Sequence, residues 1–108
     1  MRKSCSVNFT PGGLARSLLA GMATAFRCGY DAMRPHLAAA ATRLVGAGNG
    51  VRENAVLAAL LGEAFGLPVE VPAHREEAAY GAALLAAVGT GVCPSLKACG
   101  RLIRYATA

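Results

Sequence analysis

Leu14, Leu18, Met22, Phe26 and Met33 recur at helical spacing behind a Thr10-Pro11 pair, which predicts a first helix over residues 11–34. Thr10 is the N-cap candidate, Pro11 suits the first turn, and Phe9 is placed to staple onto Leu14. Pro35 ends or kinks the helix near Arg34. With Arg16, Arg27 and Asp31 left to face water, the Leu/Met/Phe stripe reads as core. Residues 36–42 are alanine-rich and read either as one more helical turn or as a connector.

Leu44-Val45 is a short apolar run that leads into Gly46-Ala-Gly-Asn-Gly50, the pattern of a strand ending in a glycine-rich bend. A helix opening near residues 52–54 follows, with Val56, Leu57, Leu60, Leu61 and Phe65 on one face. Gly66 suits the left-handed C′ position and Leu67-Pro68 stops the helix. Val69-Glu-Val71 alternates as a second strand, and a strand, helix and strand joined this tightly predict a parallel right-handed crossover. A third helix over residues 76–88 is small and apolar after an acidic first turn, so it wants burial on most sides, with Gly81 admitting a close backbone neighbour. The expectation is an α/β unit spanning residues 1–108, in α-β-α-β-α order with a short parallel strand pair at 43–47 and 69–71.

The formal charge of +5 is carried by scattered arginines and lysines without interleaved aromatics, so nucleic-acid binding is not supported. Arg52 and Arg75 suit either an anionic ligand or a neighbouring acid, while Glu53, Glu63, Glu70, Glu76 and Glu77 read as solvated charges. Residues 78–96 carry no charge, but Gly81, Gly89, Gly91 and Pro94 interrupt them, so no membrane span is expected. Met1-Arg-Lys-Ser-Cys-Ser6 is basic without an adjacent apolar segment, so no secretory signal is evident and a cytoplasmic setting is the expectation. Cys5, Cys28, Cys93 and Cys99 show no C-x-x-C spacing and read as reduced thiols. His36 and His74 are isolated, which favours exposed or capping roles.

The glycine-rich bend is the candidate for chemistry, because its glycines admit positive φ and let a ligand approach bare backbone. It fits neither common phosphate fingerprint. G-x-G-x-x-G needs glycine at Val51, and a P-loop needs Gly-Lys-Ser/Thr after the turn. A plain tight turn and a ligand site stay equally open on pattern alone.

Three strings in order carry a family resemblance: Val45-Gly-Ala-Gly-Asn-Gly50, Phe65-Gly-Leu-Pro-Val-Glu-Val-Pro72, and Glu76-Glu-Ala-Ala-Tyr-Gly-Ala-Ala-Leu-Leu-Ala-Ala-Val-Gly89. Together with Phe9-Thr-Pro-Gly-Gly-Leu14 they make residues 6–105 resemble the C-terminal end of an FGGY-type carbohydrate kinase. Pro72-Ala-His-Arg-Glu-Glu77 and Arg101-Leu-Ile-Arg-Tyr105 look most similar to sedoheptulokinase-like members. The resemblance implies a partial actin-like ATPase (ribonuclease H-like) domain, the C-terminal part of the second, nucleotide-binding domain of a sugar kinase. Such enzymes transfer the γ-phosphoryl group of ATP, with magnesium, to a sugar hydroxyl. By position it implies that Gly46, Ala47, Gly48, Asn49 and Asn54 face the adenosine, with Asn54 near the adenine edge and Asn49 departing from the family's usual small residue. No residue here matches a catalytic base or metal ligand of that chemistry, since the lone aspartate, Asp31, falls in the first helix, so the chain alone is expected to be inactive.

Expected partners are the adenosine moiety, the rest of a kinase, or a second copy of the chain. A non-catalytic interaction module is the alternative. A dehydrogenase-type nucleotide domain is weaker, because only Glu70 stands where a ribose-binding acid belongs.

Overall fold

In the computed structural model, residues 9–108 are described. The basic N-terminal segment and Cys5 lie outside them. The first helix, α1 (Pro11–Met33), begins where the sequence placed it. Thr10 Oγ1 accepts the Gly13 amide at 3.0 Å and Pro11 sits in the first turn. Phe9 stays 83 % exposed, so no hydrophobic staple buries it. A 3-10 turn, Arg34–His36, ends the helix, and the alanine-rich connector that follows is not helical.

The apolar stripe of α1 is not the core. Leu14, Leu18, Met22, Phe26 and Met33 are all exposed, whereas Ala23 is buried, with Leu19 and Ala20 half-buried beside it. Small residues on that adjacent face let the helix α3 (Ala55–Phe65) come close, and Leu57, Leu60 and Leu61 fill the contact. Full burial of each such leucine is worth about 1.5–3 kcal/mol. Arg27 closes the end of this pairing rather than facing water. Its Nη1 donates to the Ala64 carbonyl at 3.0 Å, its Nε donates to Asp31 at 2.9 Å, and the guanidinium lies over Tyr30 and Phe65.

Strand β1 (Leu44–Val45) is shorter than expected, and the one-turn helix α2 (Asn49–Arg52) separates it from α3. Gly66, with φ of 66°, ends α3 in the left-handed region as read from the sequence. Strand β2 (Val69–Pro72) pairs parallel with β1, Leu44 opposite Val69 and Val45 opposite Glu70, as the crossover argument required. After β2 come α4 (Glu77–Gly89), the short helix α5 (Leu96–Cys99), a 3-10 turn Gly100–Leu102, and the strand β3 (Tyr105–Thr107).

The structure departs from the sequence expectations in the sheet and in helix α4. The sheet has three strands in the order β1-β2-β3, with β3 antiparallel to β2 and Val71 opposite Ala106. The α-β-α-β-α reading missed β3, which leaves β2 paired on both edges and its Val69 and Val71 buried. Helix α4 has no buried residue, and Leu85 is 60 % exposed, so its apolar composition is not matched by cover within the described residues. Cys93 and Cys99 lie side by side with Cα atoms 6.4 Å apart, while Cys28 is free and exposed. None of the described helices is long and apolar enough to cross a membrane.

Candidate functional site at the glycine bend

The bend leaves the sheet where β1 stops pairing. Gly46 extends the ladder by one bond, its amide donating to the Glu70 carbonyl at 2.8 Å. A side chain is not tolerated there: a Cβ on Gly46 would lie 2.7 Å from Val51 Cγ1 and 3.2 Å from Val69 Cγ1. Gly48 is a glycine for a different reason. Its φ of 92° is a conformation L-residues avoid, yet a Cβ there would meet nothing within 4 Å. The backbone at Gly48 is therefore open to an approaching molecule.

Asn49 opens α2 and is exposed. Glu53 ends that turn, its amide donating to the Asn49 carbonyl at 2.9 Å, and Asn54 restarts the chain as the N-cap of α3, its Oδ1 accepting the Leu57 amide at 3.0 Å. The helix after the bend is thus built in two pieces rather than opening once at residues 52–54. Gly46, Ala47, Gly48 and Asn49 come together as one surface. Asn54 lies beyond α2 with its side-chain oxygen already committed.

Glu77, at the start of α4, ties the bend to the head of that helix. Its Oε1 accepts the Gly48 amide at 3.3 Å and is bonded to Arg52 Nη2. The same Nη2 donates to the His74 carbonyl at 3.0 Å. Both side chains are shielded, Arg52 at 14 % and Glu77 at 24 % exposure, and Arg52 Nε is buried without a partner. Its own backbone amide, then Arg52, then the Gly48 amide hold the Glu77 carboxyl below the usual carboxylate range. The reading of Glu77 as a solvated charge is corrected, whereas Glu70 keeps its place on a strand at the surface, where it pairs with Arg43. For Arg52 the acid, rather than an external anion, is the partner found. No local pattern would have joined Arg52 to Glu77. The usable signal was the acidic first turn of α4 following a strand next to the bend.

The turn before α4 is tightly specified. Glu76 has a φ of 57°, and His74 stacks on Tyr80 with ring centroids 3.9 Å apart and planes 9° from parallel. Tyr80 Oη donates to the Leu102 carbonyl at 3.2 Å, so the loop leading into β3 is anchored to the same cluster. His74 is accordingly a packed residue rather than a free one.

Two grooves flank the bend, and Val45 and Ala47 line both. One, of about 210 Å³, is walled by Phe26, Val51, Phe65 and Val69. The other, of about 240 Å³, is walled by His74, Glu77, Tyr80 and Leu84. Both have largely apolar walls; Gly46 lines the first groove only, and the bend reaches the second through Ala47. Chemically, the bend offers apolar groove walls and, with its Gly48 amide taken, little for an anion.

Neither the curated proteins nor the solved structures give a match to this chain. The family model described as the C-terminal domain of the FGGY family of carbohydrate kinases matches residues 3–90, and the chain belongs to that family.

Proposed function

We propose that this chain supplies the adenosine-facing part of the ATP site of a carbohydrate kinase. The observation that carries this reading is the Glu77 carboxylate on the Gly48 amide, because an anion already held at the bend leaves it suited to the neutral end of a nucleotide. The residues fit that end: Gly48 has open space above its backbone, and Val45, Val51 and Phe26 give a ring an apolar edge to rest against. Gly46, Ala47, Gly48 and Asn49 form the platform, with Asn54 at its margin. ATP, when bound with magnesium, supplies the γ-phosphoryl group. This chain's part is to hold and orient the nucleoside.

Transfer to the sugar belongs to the complete enzyme. Asp31, the lone aspartate of the chain, is spent on Arg27, and the chain alone is proposed to be inactive. Sedoheptulose or a similar ketose is the proposed acceptor, on the wording of residues 72–77 and 101–105, and the cytoplasm, where such sugars meet ATP, is the proposed setting. A second reading, a non-catalytic interaction module, is favoured by one observation: the exposed row Leu14, Leu18, Met22 and Phe26 on α1, which suits the rest of a kinase or another copy as cover.

Calorimetric titration of adenosine, AMP and ATP tests the main reading. Adenosine is expected to carry most of the affinity. Tight binding that requires the triphosphate, with adenosine inert, would contradict it. Turnover of ATP with sedoheptulose, xylulose, ribulose or glycerol by the purified chain would overturn the proposed inactivity.

A further inference from the structure

The bend holds two ingredients of an anion site that the sequence motif lacked. A positive-φ glycine presents an amide at Gly48, and a shielded guanidinium stands beside it at Arg52. Glu77 occupies both. Its Oε1 lies 3.3 Å from the Gly48 nitrogen and is bonded to Arg52 Nη2, and Nη2 is held in turn by the His74 carbonyl at 3.0 Å. The remaining donor on that side, Arg52 Nε, is buried and without a partner. Glu77 therefore behaves as a built-in anion beside the bend, in the wall of the groove it shares with Val45 and Ala47.

We propose that Glu77, positioned by Arg52, determines specificity at the bend: it fills the place a phosphate would take and restricts the site to the uncharged nucleoside end of its ligand. This rests on the adenosine reading above. Three consequences follow from the charges. Replacing Glu77 by glutamine keeps the shape but leaves the Arg52 cation uncompensated, so affinity for a phosphate-bearing ligand rises. Replacing Arg52 by glutamine leaves the carboxylate uncompensated, so that affinity falls. A pair that served only to hold the fold would weaken both kinds of ligand together.

The test is titration of adenosine, AMP and inorganic phosphate into the 108-residue chain and its Glu77→Gln and Arg52→Gln variants, read as the ratio of AMP to adenosine affinity. Glu77→Gln is expected to raise the ratio about tenfold, and Arg52→Gln to lower it. A ratio unmoved in both variants, or moved the same way in both, overturns the inference, while the adenosine reading stands or falls on the affinity of the unsubstituted chain for adenosine. An unsubstituted chain with no affinity for adenosine overturns that reading, and the inference with it.

Should a variant fail to fold, amide spectra of the unsubstituted chain decide the matter. Adenosine is expected to shift the Gly48 resonance and inorganic phosphate to leave it in place. A Gly48 resonance that follows phosphate and ignores adenosine overturns the inference.

Discussion

Gly46 and Val51 are in such close register that the first has no room for a side chain: a Cβ on Gly46 would stand 2.7 Å from Val51 Cγ1. Val51 is β-branched and stiff at χ1, and Val69 closes the space from the sheet side at 3.2 Å, so neither neighbour yields cheaply. Gly46→Ala is expected to cost about 1–3 kcal/mol by overpacking. Val51→Ala in the same chain should return part of that loss, a coupling that denaturant unfolding of the two single variants and the double variant will measure.

Gly48→Val acts differently, since the space around it is open and the penalty lies in its φ of 92°. A β-branched residue held there costs about 1–3 kcal/mol of backbone strain, and its side chain would stand where the ligand must meet backbone. Loss of adenosine affinity beyond what unfolding explains is the expected result. Calorimetry below the melting temperature reads it, and undiminished binding would remove Gly48 from the platform.

Asn54 has a capping role in the structure and a proposed base-facing one. Asn54→Ala should cost about 1 kcal/mol through the lost bond to Leu57 N. Asn54→Asp keeps the cap acceptor and removes the amide donor. Stability is expected to hold in the Asp variant while adenosine binding weakens, and equal binding by both chains would confine Asn54 to capping.

Acid should loosen the fold through two carboxylates. A hydrogen bond from Arg43 holds Glu70 below its ordinary value of 4.5, and Glu77 is lowered by its own amide, Arg52 and Gly48. Because both are lower in the folded chain than in the unfolded one, their stabilisation is full above 4.5 and is lost as the pH falls through the lowered values. Urea midpoints measured across that range should fall with pH. Glu70→Gln with Glu77→Gln should flatten the dependence.

The exposed row on α1 predicts association. Leu14 at 54 % and Leu18 at 66 % exposure belong to an apolar run that continues through Met22 and Phe26. Light scattering should show a mass that rises with concentration. Leu14→Lys with Leu18→Lys should suppress the rise while changing stability by only about 0.5 kcal/mol, as for exposed positions generally. Ala23→Leu, on the covered face, should instead destabilise by about 1–3 kcal/mol. A strictly monomeric unsubstituted chain, with a concentration-independent melting transition, would show that the row needs no cover.

Much of the fold was legible because its signals are local. Thr10-Pro11 started α1, Gly66 with Pro68 stopped α3, and the spacing from Val45 to Val69 required a crossover, all of which depend on a few neighbouring residues. The bend was legible for the same reason, as Gly48 is demanded by its own dihedral and Gly46 by Val51 five residues on, with Val69 adding a wall from the sheet. Strand β3 was not, since Tyr105–Thr107 is too short to declare itself and becomes a strand only by pairing with β2.

The sequence alone therefore determined where the three longer helices and the parallel pair lie, and where the glycine bend falls, but not the short helices α2 and α5. The tertiary structure alone decided which face of α1 is covered and what neutralises Arg52. Periodicity says that a helix has an apolar stripe, but the shape of the partner decides which face is buried. Here Ala23 admits α3, while the bulkier Leu14, Leu18 and Met22 are left outside. Likewise Arg52 and Glu77 belong to different elements, and only the return of the chain through β2 into α4 brings the carboxylate to the guanidinium and to the Gly48 amide.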